Sequence, residues 1–202
     1  MANPATPAQA STRKRRADAE RSIAAILDAA LEALASDPDS SMAEIARRAG
    51  VVRATIYMHF PTRESLLDAV MERAVADVAE ATRSAEPQRG EPVEALERVL
   101  RATWRELARF HALLAINIAR LSAEELRRRH LPVLDQLEPL IKRGQADGVF
   151  RRDLPISWHL AVIRAVVHAA SGEIKNGRIP ESKVEDAMLS TAISAISERS
   201  AP

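Results

Sequence analysis

The stretch that most restricts what this chain can fold into is residues 42–60, MAEIARRAGVVRATIYMHF, set between Pro38 and Pro61. It holds two runs of helix formers, each too short to be stable alone. They are split by Gly50, a residue free to take the left-handed backbone conformation that ends a helix. Ser41 followed three positions later by Glu44 is a capping box, so the first helix is expected to begin at 42 and to stop at Gly50. A second is expected over 53–60, ending before Pro61. The small Ala46 lets the two approach closely, and Ile45, Val51 and Ile56 supply the apolar surface that pins them together. One side of the second helix is then clamped and the other is free. On the free side the sequence places Arg53, Thr55, Tyr57 and His59, side chains able to reach phosphates and base edges when a helix lies in a major groove.

Net charge neither supports nor opposes a nucleic-acid partner, because 29 Lys and Arg nearly cancel 28 Asp and Glu. Local charge is what matters. Arg47, Arg48, Arg53 and Arg63 crowd around the segment against Glu44, and Ser41 joins them as a candidate contact at a helix start. Upstream, Arg13, Lys14, Arg15 and Arg16 form a basic run on a stretch that small residues, Pro4 and Pro7 mark as a disordered arm, residues 1–16. Such an arm follows phosphates or enters a minor groove, although a merely solubilising charge run reads the same way.

The rest of the chain repeats one theme. Hydrophobic residues are 47% of it and aromatic ones 3%, so the core is aliphatic and helical periodicity dominates. Helices are expected from residue 18 to about 36, over 62–83, 93–121 and 122–129, then one with Pro132 in its first turn, Pro139 inside and Gly148 at its end. Two more, over 154–174 and 184–197, flank a turn at Asn176-Gly177 and Pro180, and residues 86–92 form the clearest loop. The fold class is all-α.

Several functions are excluded as expectations. Without cysteine there is no thiol redox chemistry or Cys-bound zinc. His159 and His168 point to opposite sides of their helix, so no metal site is expected, and no catalytic motif or cofactor loop appears. The chain is expected to be neither an enzyme nor a membrane protein, and to work in the cytoplasm.

Ile26-Leu27-Asp28-Ala29-Ala30, then IARRAGV, then ATIYMHFPTRESLLDAV resemble the DNA-binding domain of the TetR (tetracycline-repressor) family. The resemblance covers about residues 17–70. Beyond it, the order of helices, with GVFRRDLP before a long apolar one, looks like that family's variable C-terminal half. It implies that Arg53, Thr55 and the Tyr57 hydroxyl touch DNA, that His59 and Arg63 reach phosphates, and that Phe60 is core. The chain departs from the usual pattern at Val52, where Ser or Thr commonly caps the recognition helix, and at Met58, often polar.

These readings assign residues 17–61 to a helix-turn-helix domain, 62–84 to a connecting helix, and 85–202 to a domain that binds an effector and dimerises. The 154–174 helix is apolar nearly all round, which calls for cover on both sides. A second subunit, meeting Trp158, Val162, Ala187, Thr191 and Ala195 in a four-helix contact, is expected to supply one of them. Arg164, His168, Ser171 and Lys175 draw a polar stripe on that helix, suited either to an effector cavity or to a polar seam in the dimer. Trp104, His111 and Asn117 are further pocket candidates. The partners implied are a palindromic DNA operator, a second copy of the chain and a small molecule that releases a repressor. The alternative is a body that docks another protein.

Overall fold

The computed structural model describes residues 7–175 and 179–198, and the turn expected at Asn176-Gly177 lies outside them. Among the described residues the chain forms nine helices and no strand. In order these are α1 (Pro7–Ser36), α2 (Met42–Arg48), α3 (Arg53–His59), α4 (Arg63–Ser84), α5 (Pro92–Arg120), α6 (Ala123–Arg129), α7 (Leu131–Ala146), α8 (Ile156–Lys175) and α9 (Glu181–Ile196). They fall into two compact units, divided between Val70 and Met71, partway along α4.

In the first unit α1 packs on α2 and α2 on α3. Ile26, Ala30 and Leu34 of α1, one helical turn apart, are buried with Ile45 and Ile56, while Leu66 and Val70 close the core from the start of α4. The disordered arm expected over residues 1–16 is corrected from Pro7 onward. Proline suits a first helical turn, and the Ala- and Arg-rich run behind it has high helix propensity, so α1 takes up this segment. Ion pairs one turn apart, Arg16 with Glu20 and Arg21 with Asp18, lie along it.

The second unit is a bundle in which α5, α7, α8 and α9 surround one aliphatic core, with Leu96, Leu140, Ile141 and Ile196 fully buried. Two devices fix its loops. After α4, Arg98 of α5 donates to the carbonyls of Ala85, Glu86 and Arg89, and Arg143 of α7 donates to those of Pro87 and Gln88. The loop between α4 and α5 is thereby held by helix-borne guanidinium groups. After α7, the left-handed Gly148 turns the chain so that Phe150 returns beneath the helix, and a Cβ on Gly144 would lie 2.1 Å from the Phe150 ring. Antiparallel bridging between Phe150 and Ser197 ties this turn to the end of α9. No helix among the described residues is long and apolar enough to cross a membrane.

Candidate nucleic-acid interface and effector cavity

The link between α2 and α3 is built from backbone geometry. Gly50 adopts a φ of +67°, its N–H donates to the Arg47 carbonyl at 3.2 Å, and the Val51 N–H donates to the Ala46 carbonyl at 3.0 Å. This pair of bonds satisfies the carbonyls at the end of α2 and sends the chain directly into α3. Ala46 is buried at the crossing, as its size requires.

Ser41 caps α2, its Oγ accepting from the Glu44 N–H at 3.2 Å. The reciprocal half of the expected capping box is missing, because the Glu44 carboxylate is engaged by Arg47 at 2.7 Å and Arg48 at 2.9 Å. Hydrogen bonds from these two arginines, Arg47 first, hold the Glu44 carboxyl down to about 2. Val52 occupies the cap position of α3 in an extended conformation and makes no side-chain bond, as the departure from Ser or Thr implies.

α3 buries Ile56, and Phe60 just beyond it, against the unit and presents its opposite side outward. That outward side differs from the expected one. Arg53, Ala54, Tyr57 and Met58 are exposed, whereas Thr55 and His59 stand half-buried at its flank. The set Arg53, Thr55, Tyr57 and His59 alternates by two, a strand's period, while a helix brings i, i+1, i+4 and i+5 to one side. Ala54 and Met58, the latter 70% exposed, stand outside the expected set, and their exposure follows from the same spacing that buries Ile56. The Arg53 guanidinium lies over the Tyr57 ring, 5.8 Å from its centroid, so the two long side chains steady each other.

Arg63 stands apart from this surface in its bonding. Its terminal nitrogens donate to the carbonyls of Ser40 and, at 2.6 Å, Pro38, bracing the turn that precedes α2. Thr62 caps α4 as expected, accepting from the Ser65 N–H at 3.1 Å. Arg13 and Arg16 are exposed on α1, and the side chains of Lys14 and Arg15 lie outside the described residues.

The second unit holds a partly open cavity with walls from α4 to α8. Met71, Val78, Leu100, Phe110, Leu137 and Ile163 represent its mostly aliphatic lining. Its polar groups are Thr103, Asn117, His130, Arg164 and His168. Thr103 is satisfied by the carbonyls of Val99 and Leu100. Asn117 is buried and accepts from Arg120 through Oδ1 at 3.0 Å. The rings of His130 and His168 lie 5.7 Å apart. His130 Nδ1 donates to the Leu126 carbonyl at 2.6 Å. Burial first, then the charges of His130 and Arg164, pushes His168 down to about 4, and burial with Arg164 lowers His130 as well. Both imidazoles are therefore neutral near pH 7, and the guanidinium of Arg164 is the fixed charge of the lining.

The pocket candidates thus separate. Asn117, Arg164 and His168 line the cavity, and His130, on the junction of α6 and α7, joins them without having been foreseen. Trp104 is corrected: it is buried in the core of the second unit and does not line the cavity. The reason is that α5 packs against α7, α8 and α9, so its aromatic residue is taken up in the core these helices share. The side chains of His111 and Lys175 lie outside the described residues. Ser171 is buried and bonded to its own helix at the Val167 carbonyl. On the outside of α8 and α9, Trp158 is 55% exposed, Ala187, Thr191 and Ala195 are exposed, and Val162 is half-buried.

Residues 26–70 match the bacterial regulatory proteins of the tetR family, and residues 92–171 match a tetracyclin repressor-like C-terminal domain. The HTH-type transcriptional repressor LfrR of Mycolicibacterium smegmatis is 30% identical over 88% of this chain and 91% of its own length. The chain belongs to the tetR family. As a member it is a DNA-binding transcriptional regulator and not an enzyme. The crystal structure of LfrR from Mycobacterium smegmatis in complex with proflavine superposes with a TM-score of 0.71 at 28% identity, covering 88% of this chain and 97% of that one. The regulator FadR of Bacillus subtilis, solved with stearoyl-CoA, shares the fold at a TM-score of 0.69 and 22% identity, over 85% of this chain and 98% of that one.

Proposed function

We propose that this chain is a homodimeric repressor of the cytoplasm that leaves a palindromic operator when a small molecule enters the cavity of its second unit. The observation that carries the reading is α3, clamped through Ile56 and Phe60 and free on the side of Arg53 and Tyr57. In a major groove that side offers a guanidinium and a phenol hydroxyl to base edges and phosphates, with Thr55, His59 and Ser41 serving phosphates at its flank. Arg13 and Arg16, exposed on α1, and the basic run they belong to add phosphate contacts. Arg63 reaches DNA only with the donors its two carbonyl partners leave over.

The dimer reading rests on the uncovered side of α8 and α9. A tryptophan more than half exposed on α8, with exposed small residues Ala187, Thr191 and Ala195 on α9, leaves room for close helix approach. A symmetric dimer then binds two half-sites about one helical turn apart, ~34 Å, or a multiple of it. Release works through α4, whose Met71, Ala74 and Val78 wall the cavity while its Leu66 and Val70 belong to the core of the first unit. The cavity, and the proflavine found in LfrR, favour a small-molecule effector over a body that docks a protein.

Selection from a random duplex pool with the purified chain tests the reading. A palindromic consensus bound by a species of twice the chain mass is expected. Enrichment of a single, non-repeated half-site by a monomer overturns it.

A further inference from the structure

The charge pattern of the cavity narrows what enters it. Most of the lining is hydrocarbon, no carboxylate takes part in it, and both histidines are held neutral by their surroundings. Arg164 remains. It is half-buried and makes no hydrogen bond or ion pair with any described residue, although most guanidinium groups of this chain that leave bulk solvent carry a carboxylate or a set of carbonyls. The guanidinium is the one fixed charge of the lining and has no counter-ion there, and an anion entering the recess is the partner that supplies one. A carboxylate matches the planar fork of an arginine through two parallel bonds. Also on the lining, Asn117 has its Oδ1 occupied by Arg120, so its Nδ2 protons are the ones left for a second acceptor.

We infer that the effector is an amphiphilic monocarboxylate, its head on Arg164 and Asn117 and its aliphatic body along the wall of α4, α5 and α7. The inference rests on the cavity being the effector site proposed above. It excludes organic cations as preferred ligands, since they would bring a like charge to Arg164 and meet no carboxylate in the lining.

The experiment is calorimetric titration of the full chain with three ligands of one chain length, below their micelle concentrations: decanoate, decanol and decyltrimethylammonium. Decanoate is expected to bind at least ten-fold tighter than either of the others. In Arg164→Gln its advantage over decanol should vanish while decanol binds as before, and Arg164→Lys should retain part of it, which guards against a variant that merely fails to fold. Equal or tighter binding of the alcohol or the ammonium, or an unchanged preference in Arg164→Gln, overturns the head-group assignment but leaves the cavity as a ligand site. If none of the three binds, the assignment of this cavity as the effector site falls as well.

Discussion

The two units of this molecule place their distinctive residues on opposite sides of their surfaces. In the first, Ile56, Ala46 and Gly50 are scaffolding, and the chemistry stands outside on Arg53 and Tyr57. In the second the groups compared with them, Arg164 and two neutral histidines, line a partly open cavity. A surface that reads DNA needs rigidity beneath it and freedom above it. On the reading proposed above, the cavity accepts a small molecule, and its specificity is set by what is missing from the wall, here any carboxylate. The contrast teaches that the same aliphatic helices serve two purposes, depending on whether polar residues fall on the clamped or the open side.

The contrast breaks first at Ile56. Ile56→Ala should cost roughly 2 to 5 kcal/mol, as truncations of fully buried aliphatic residues do, and should abolish DNA binding together with stability. Thermal unfolding monitored by circular dichroism checks this, and a variant of unchanged melting temperature would show that α3 is not held from below.

The inner site answers to acid. His168 is neutral in the fold with its pKa pushed down to about 4 from an ordinary 6.5, facing His130 and the Arg164 cation. A depressed pKa means the unfolded chain takes up the proton first. Its share of stability is therefore intact above about pH 6.5 and is lost as pH falls toward 4. That share is on the order of 3 kcal/mol. His168→Gln should flatten the fall in melting temperature between pH 7 and 4, and an equally steep profile would remove His168 from the account.

The outer site answers to truncation without loss of fold. Tyr57→Ala should weaken binding to a selected operator by about 1 to 3 kcal/mol and leave the melting temperature in place. Gel-shift titration gives the first number and calorimetry the second. Val52→Ser should act oppositely, adding the side-chain cap that α3 lacks and stabilising the protein by about 1 kcal/mol. The smallest effect belongs to the basic run: Arg13→Gln with Arg16→Gln should lower the slope of log affinity against log salt by about 1 to 2. An unchanged slope returns those arginines to solvation alone.

The first unit was the more legible in sequence, because its determinants are local. The Ala46 and Gly50 spacing, the Ser41 cap and the Pro61 stop act over a few residues, and each takes its expected place. What failed there also has a local cause. Pro4 and Pro7 read as marks of a disordered arm, although a proline in a first turn costs a helix little, and Arg53, Thr55, Tyr57 and His59 alternate along a surface that repeats every 3.6 residues. In the second unit the stripe of Arg164 and His168 was visible on its own helix, but which neighbour it faces was not. His130 enters the cavity from a different helix junction, and the burial of Trp104 is decided by packing within the bundle core, a tertiary property that periodicity does not encode.

Gly144 and Phe150 carry a last consequence. One residue surrenders the volume that the other fills, so neither is free to change size alone, and the phenyl ring acts as a key that keeps α7 from rolling about its axis. Val133, Leu134 and Leu137 of that helix can then exchange methyl groups one at a time, re-tailoring the interior for a new guest while the register of the bundle stays locked.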